Sequence, residues 1–150
     1  VAIEFGTPVV IMHNKERAAY DGPMLDEVLA FLSEAAERTV ARGLPPAHVL
    51  LDPGVGFGKT PEHNIAVLHG LDRVVALGFP TLLGASRKST IGMLTGREPH
   101  ERTYGTAATT ALAVAAGIDV VRVHDVAETL DVVAVSDAVV RDWRPDGWTR

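Results

Sequence analysis

Four short apolar runs divide the chain, and a segment with helical spacing follows each of them. The runs occupy residues 8–13, 48–52, 80–86 and 119–125. Their apolar residues are continuous and do not alternate with polar ones, which is typical of parallel strands buried on both faces of a sheet. The pattern therefore predicts an α/β fold of four parallel strands, each followed by a helix.

The helices are predicted from apolar residues three and four positions apart and from the residues that start or stop a helix. Thr60 followed by Pro61 is typical of a helix start, and Gly43, Gly78 and Gly117 are typical helix ends. We expect helices over residues 25–40, 61–75, 106–116 and 126–140, with a short turn at 89–95. The chain is expected to enter its first strand almost at once.

The composition narrows the class of protein. The 150 residues are 47% hydrophobic and 22% charged, with a formal net charge of −5, so nothing favours a nucleic-acid or an anionic-membrane partner. No apolar run approaches the ~18 residues that a membrane-spanning helix needs. Cysteine is absent, which fits a cytoplasmic location. No zinc-binding spacing and no G-x-S-x-G motif is present, so the chain predicts neither a metal site nor a hydrolase nucleophile.

Polar side chains stand at the carboxyl end of every predicted strand. They are His13 and Asn14, directly after Met12, on the first strand, Asp52 on the second, Ser86, Arg87 and Lys88 on the third, and Arg122, His124 and Asp125 on the fourth. In parallel α/β folds this edge and the loops that follow it form the ligand site. Four strands ending in this way predict one site at that edge.

The chemistry of this edge is mixed. Its cationic and imidazole side chains suit a phosphate or diphosphate group. Asp52 can accept paired N–H donors from a heterocycle, but an aspartate that only caps its own loop fits the sequence as well. Phe57, between two glycines, either presents its ring to a planar ligand or fills the core.

The run LDPGVGFGKT, residues 51–60, resembles a phosphate-binding P-loop. It fits G-x-x-x-x-G-K-[ST] at every fixed position except the first, where Pro53 stands. A proline after Asp52 is expected if the segment ends a strand there, and Thr60 before Pro61 is better suited to capping a helix than to binding magnesium. We therefore interpret the run as the ligand-facing end of a strand and not as a P-loop.

Five segments in the same order resemble dihydropteroate synthase. They are PVVIMH (8–13), LDPGVGFGKT with the asparagine that follows it (51–64), LLGASRKSTIG (82–92), RTYGTAA (102–108) and RVHDV (122–126). The resemblance implies a (β/α)8 TIM barrel of the folate pathway. Such an enzyme joins 6-hydroxymethyl-7,8-dihydropterin diphosphate to 4-aminobenzoate, releasing diphosphate, and sulfonamides compete with the aminobenzoate.

The resemblance also implies roles for particular residues. Asp52 is expected to hold the pterin ring, which Met12, Gly56, Phe57 and Gly84 would line. Lys88 is expected to contact both the pterin and the aminobenzoate. Ser86 and Arg87, on the same loop as Lys88, are expected to contact the substrates, and Arg122 and His124 are expected to bind the diphosphate. Of these residues, the ones expected to be catalytic are Lys88, Asp52, Arg122 and His124.

Residues 1–150 supply four of the eight units of such a barrel, beginning where the fifth strand would be. We therefore expect one partial pterin-binding domain, the C-terminal half, that is inactive alone. The Mg²⁺ ion that the family implies would have its protein ligand in the N-terminal half, and a homodimer is expected. The alternatives are a methyltetrahydrofolate-type methyltransferase domain, a noncatalytic synthase-like binding module, and half of a generic phosphate-binding barrel.

Overall fold

The computed structural model describes residues 1–148, which form four strands and seven α-helices. The strands are β1 (Val9–Met12), β2 (Val49–Asp52), β3 (Leu82–Leu83) and β4 (Val120–Val121). The helices are α1 (Ala2–Phe5), α2 (Met24–Ala41), α3 (Pro61–His69), α4 (Leu71–Val75), α5 (Ser89–Thr95), α6 (Thr103–Ala116) and α7 (Val126–Val140). Short 3₁₀ turns lie at Pro46–His48 and Pro99–Glu101.

The strands are parallel and neighbour one another in chain order. In the first pair Met12 lies opposite Asp52, and in the second Leu83 lies opposite Val121. A parallel bridge from Leu51 to Thr81 joins β2 to β3. This arrangement confirms the predicted α/β repeat and is that of half a (β/α)8 barrel, in which sequential parallel strands carry their helices on the outside.

Strands β3 and β4 are shorter than the apolar runs predicted. At their amino ends, side chains add to the backbone bond from Val120 N to the Thr81 carbonyl, because Thr81 donates from its backbone N and its Oγ1 to Asp119 Oδ2, both at 2.8 Å. The backbone N of Asp119 donates in return to Thr81 Oγ1 at 3.1 Å. The two strands are thus joined firmly although only two residues of each are regular.

The helices differ from the predicted ones in three places. The single helix expected over 61–75 is divided at Gly70, whose φ of −104° and ψ of 29° separate α3 from α4, and the side chain of Leu25 occupies the space that a Cβ would need. Residues 89–95 form the regular helix α5 and not only a turn. A four-residue helix, α1, precedes β1, where the sequence analysis expected none.

The core lies between the strands and the helices that cover them. Helix α2 turns Val28 and Leu32 inward, both fully buried, against Leu51 of β2 and against Val67 and Val74 of the following helices. Each such aliphatic side chain contributes about 1.5–3 kcal/mol when it is removed from water. This packing fixes β2, and with it the position of Asp52, at the centre of the described sheet.

Beyond β4 the surface is apolar, with Val126 and Leu130 of α7 exposed at 59% and 63%. β1 and β4 are the two outer strands among the residues that the structure describes. Within residues 1–148, no helix combines the length and the apolar character that crossing a membrane requires.

Candidate active site

A cavity of about 320 Å³ opens at the carboxyl ends of β3 and β4. Its lining residues are Phe57, Gly84, Ser86, Lys88, Arg122, Val123 and His124. All of these except Val123 were predicted from the sequence as site residues. A larger apolar groove of about 570 Å³ lies on the outside of the helices, among α3, α5 and α6, and none of the predicted site residues lines it.

Asp52 ends β2 beside this cavity, with Met12 opposite it on β1. Its side chain is buried, at 2% exposure, and Oδ1 accepts a hydrogen bond from the backbone N of Gly54 at 2.7 Å. One carboxylate oxygen of Asp52 therefore caps its own loop, as the sequence allowed. The Gly54 amide is the only donor to this carboxylate among the described residues. Burial raises the pKa of Asp52, while the Gly54 amide and the charges of Arg122 and Lys59 act in the opposite direction.

The loop after Asp52 is built on backbone conformations that favour glycine. Gly54, Gly56 and Gly58 all have positive φ, at 71°, 80° and 58°. The N–H of Gly56 donates to Asn64 Oδ1 at 2.7 Å, and the hydroxyl of Tyr20 donates to the carbonyl of Gly58 at 2.8 Å. The loop is thus held from α3 on one side and from the segment after β1 on the other.

Thr60 begins helix α3 as a cap. Its Oγ1 accepts from the backbone N of His63 at 3.2 Å, and Nδ1 of His63 accepts from the backbone N of Thr60 at 3.4 Å. Pro61 occupies the first helical turn. A threonine engaged in this way is not presented as a magnesium ligand, which agrees with the interpretation that the run is not a P-loop.

Phe57 and Lys88 meet across the cavity. Lys88 Nζ lies 3.9 Å from the centroid of the half-buried Phe57 ring, a cation–π contact. Gly56 leaves the room for this contact, since a methyl group there would lie 2.9 Å from Lys88 Cδ. Burial and, after it, the charge of Arg122 lower the pKa of Lys88, whereas Asp52 opposes them. The ring lies at the rim of the site and outside the hydrophobic core.

Ser86 fixes the orientation of His124. The backbone N of His124 donates to Ser86 Oγ at 3.2 Å, and Ser86 Oγ lies 2.9 Å from His124 Nδ1. A serine hydroxyl has one proton and two lone pairs, so Ser86 can accept from the amide and also either donate to Nδ1 or accept from it, according to the tautomer of His124. His124 is exposed and lines the cavity, and with Nδ1 engaged by Ser86 its Nε2 is the ring nitrogen left for a ligand.

Four of the predicted substrate residues are not among those that line the cavity: Met12, Asp52, Gly56 and Arg87. Of these, Arg87 is the one whose side chain is held in an ion pair. Its φ of 56° is unusual for a residue with a side chain, and this turn directs the guanidinium to Asp125, with Nε 3.1 Å from Oδ2 and a second contact from Nη2 to Oδ1. The pairing lowers the pKa of Asp125 and raises that of Arg87. The flanking residues Ser86 and Lys88 line the cavity.

Two residues that the sequence analysis did not single out hold this loop. Arg102 donates from Nη1 to the carbonyls of Arg87 and Lys88 at 2.9 and 3.3 Å. Thr106 Oγ1 accepts from the backbone N of Arg87 at 3.1 Å. The sequence carries a hint in Gly92, because the guanidinium of Arg102 packs where a Cβ of residue 92 would be.

Binding of a metal ion requires several donor side chains that lie close together. Among residues 1–148 no group of three or more histidine, cysteine or acidic side chains is placed to hold an ion. Within these residues, a Mg²⁺ ion would therefore lack a cluster of protein ligands of this kind.

The parallel β/α repeat and the polar side chains gathered at its carboxyl strand ends define the chain as part of a TIM-barrel enzyme. The family model of the pterin-binding enzymes matches residues 1–124, and the chain belongs to that family.

Similar proteins identify the branch of the family that this chain resembles. It is 39% identical over 140 residues to dihydropteroate synthase of Bacillus subtilis (strain 168), covering 93% of this chain and 49% of the relative. The synthase of Clostridium difficile, crystallised in the presence of pteroic acid, superimposes with a TM-score of 0.90 at 42% identity, covering 93% of this chain and 53% of that one. The Thermus thermophilus synthase in complex with 4-aminobenzoate gives 0.87 at 41% identity, covering 92% and 56%. The chain thus spans about half the length of the relatives that it matches.

Proposed function

We propose that this chain forms the substrate-binding C-terminal half of a dihydropteroate synthase. The enzyme would condense 6-hydroxymethyl-7,8-dihydropterin diphosphate with 4-aminobenzoate to give 7,8-dihydropteroate and diphosphate. The observation that carries the proposal is the placing of a buried carboxylate, Asp52, beside a cavity that Lys88, Arg122 and His124 line. A heterocycle with N–H donors and a diphosphate tail matches that combination of charges.

The pterin would bind at the carboxylate end. Asp52 has one oxygen engaged by its own loop and one that can accept from the pterin ring. Gly56 leaves room for the Lys88 side chain beside the loop, and Phe57 and Met12 supply apolar surface nearby. A planar ring fits between such surfaces, while the buried carboxylate selects for N–H donors, since leaving it without a donor would be costly.

The diphosphate would bind at the cationic end. The guanidinium of Arg122 would donate to it, and the imidazole of His124 would do so from Nε2. The C–O bond between the pterin methylene and the diphosphate breaks, and the electron pair leaves with the diphosphate oxygen. Preorganised cations are most effective where this charge develops. A bound Mg²⁺ would add further neutralisation of the same oxygens.

The aminobenzoate would then attack the methylene carbon with its amine nitrogen. The C–N bond forms and the amine loses a proton, so no enzyme nucleophile is needed. Lys88 lies between the two substrate ends of the cavity and would contact both, with Ser86 close to the aminobenzoate carboxylate. Sulfonamides would compete for this end.

Calorimetry separates this proposal from its alternatives. Titration of the 150-residue chain with the pterin diphosphate, and then with 4-aminobenzoate, should show ordered binding if it is synthase-like. A methyltransferase-type domain should bind pterins without needing the diphosphate, a phosphate-binding half barrel should bind inorganic diphosphate alone, and a noncatalytic module should bind neither substrate. Measurable turnover by this chain alone would contradict the expectation that it is an incomplete enzyme.

Mutation of Lys88 tests its role. In a complete synthase that carries this C-terminal half, Lys88→Ala should abolish synthesis while the fold is retained, and retained activity would remove Lys88 from the mechanism. Arg38→Ala is the matched control, because Arg38 is an exposed cation that pairs only with Glu34 on α2 among the residues that the structure describes. Its loss should leave synthesis unchanged.

Assembly and location complete the proposal. We expect the enzyme to be a homodimer in the cytoplasm and to depend on Mg²⁺. Sedimentation of the complete enzyme, fractionation of cells that express it, and assay after chelation test these three expectations separately.

A further inference from the structure

Lys59 lies directly after the glycine-rich loop and turns its side chain back beneath it. Its Nζ lies 2.9 Å from His13 Nδ1, 3.0 Å from the carbonyl oxygen of Gly54 and 3.2 Å from that of Phe57. The three partners belong to the end of β1, the start of the loop and its centre. One side chain therefore connects all three segments.

The donors and acceptors match in number. A lysine ammonium has three N–H donors and no acceptor, and it meets three acceptor atoms here. Burial and the charges of Lys59 and Lys15 lower the pKa of His13 to about 4, so at neutral pH its Nδ1 is free to accept. The His13 ring is held in turn between Tyr20, stacked at 6.2 Å, and Phe31, edge-on at 5.3 Å.

The contacts of Lys59 bear on the side chains that face the ligand. Gly54 donates to Asp52, and Phe57 carries the ring over which Lys88 lies. Lys59 itself does not line the cavity, so it can act on a ligand only through these neighbours. Its positive charge also favours the ionised form of the buried Asp52.

We propose that Lys59 is a positioning residue that holds the 53–58 loop, and through it Asp52 and Phe57, in the geometry that receives the pterin. This inference rests on the proposed function for the identity of the ligand, but the ordering of the loop can be measured without any ligand.

The test compares Lys59→Met with Arg38→Met in the isotope-labelled 150-residue chain. Arg38 is the control, because it is an exposed cation whose one described ion pair is with Glu34 on α2. Three quantities are measured: amide exchange of Gly54, Gly56 and Phe57, the imidazole ¹⁵N shifts of the chain's six histidines, and the affinity for 6-hydroxymethyl-7,8-dihydropterin diphosphate.

We expect Lys59→Met to keep its circular dichroism spectrum, to raise loop amide exchange at least tenfold, and to shift the Nδ1 signal of His13. Its affinity for the pterin diphosphate should fall about tenfold, whereas Arg38→Met should change none of these by that amount. Unchanged loop exchange and an unchanged His13 signal would overturn the proposal.

Two further outcomes are decisive. If the unmutated chain does not bind the pterin diphosphate, the proposed function fails, and loop exchange together with the His13 signal still decides the role of Lys59. If Lys59→Met does not fold, Lys59→Gln, which keeps two donors, takes its place. Loss of folded structure in both variants would make Lys59 a folding residue and would overturn the positioning role.

Discussion

Replacing His13 by asparagine should remove a large part of the acid sensitivity of this fold. His13 is 2% exposed, and burial together with the charges of Lys59 and Lys15 lowers its pKa from 6.5 to about 4. Asparagine does not titrate in this range, and its Oδ1 can take the place of Nδ1 as an acceptor for Lys59.

The size of this pH-dependent change in the free energy of unfolding follows from the difference between the pKa of His13 in the unfolded chain and in the folded chain. Between pH 6.5 and pH 4, His13 is protonated in the unfolded chain and neutral in the folded chain. The stability that is present above pH 6.5 is therefore lost as the pH falls toward 4. At about 1.36 kcal/mol per unit of pKa difference, roughly 3 kcal/mol of the free energy of unfolding is lost between pH 7 and pH 4. Asp52, whose pKa is raised, works in the opposite direction and is common to both proteins.

Urea unfolding at pH 7, 6, 5 and 4 measures the effect. The loss of ring contacts should lower the stability of His13→Asn by a similar amount at every pH. The test therefore compares how steeply the free energy of unfolding of each protein changes with pH, and not its absolute value. The curves of the two proteins should converge by roughly 3 kcal/mol as the pH falls. Parallel curves would refute the conclusion that His13 is held neutral.

Three further changes test the site and its supports. Gly84→Ala would place a methyl group 2.7 Å from Arg122 Nη2 and should weaken binding of inorganic diphosphate about tenfold by calorimetry, with Gly22→Ala, which has open space, as control. Thr60→Ala removes the α3 cap and should lower the free energy of urea unfolding by ~1 kcal/mol; an unchanged value would mean that the cap is not needed. Arg102→Met leaves the Arg87 carbonyl without its described donor, while the Lys88 carbonyl still accepts from the backbone N of Ile91. The change should cost about 1–3 kcal/mol in the same assay, and a loss below the error of the assay would contradict that role.

The regular elements could be predicted because their causes are local. Continuous apolar runs specified parallel strands, and Thr60, Pro61 and Gly117 marked the helix ends where the structure has them. The polar residues at the strand ends were visible in the same way, since parallel strands must bring their carboxyl ends to one edge. Six of the predicted site residues consequently line one cavity.

The directions of the side chains could not be predicted in this way, because they depend on partners far along the chain. Arg87 turns to Asp125, 38 residues away, and Lys59 turns to His13, 46 residues away. The break at Gly70 likewise depends on Leu25, which packs against it from α2.

The sequence by itself determined the order of the elements and the edge that binds ligand. The tertiary structure decided which polar groups reach the cavity and which hold its walls, because only packing brings distant donors and acceptors within hydrogen-bond distance.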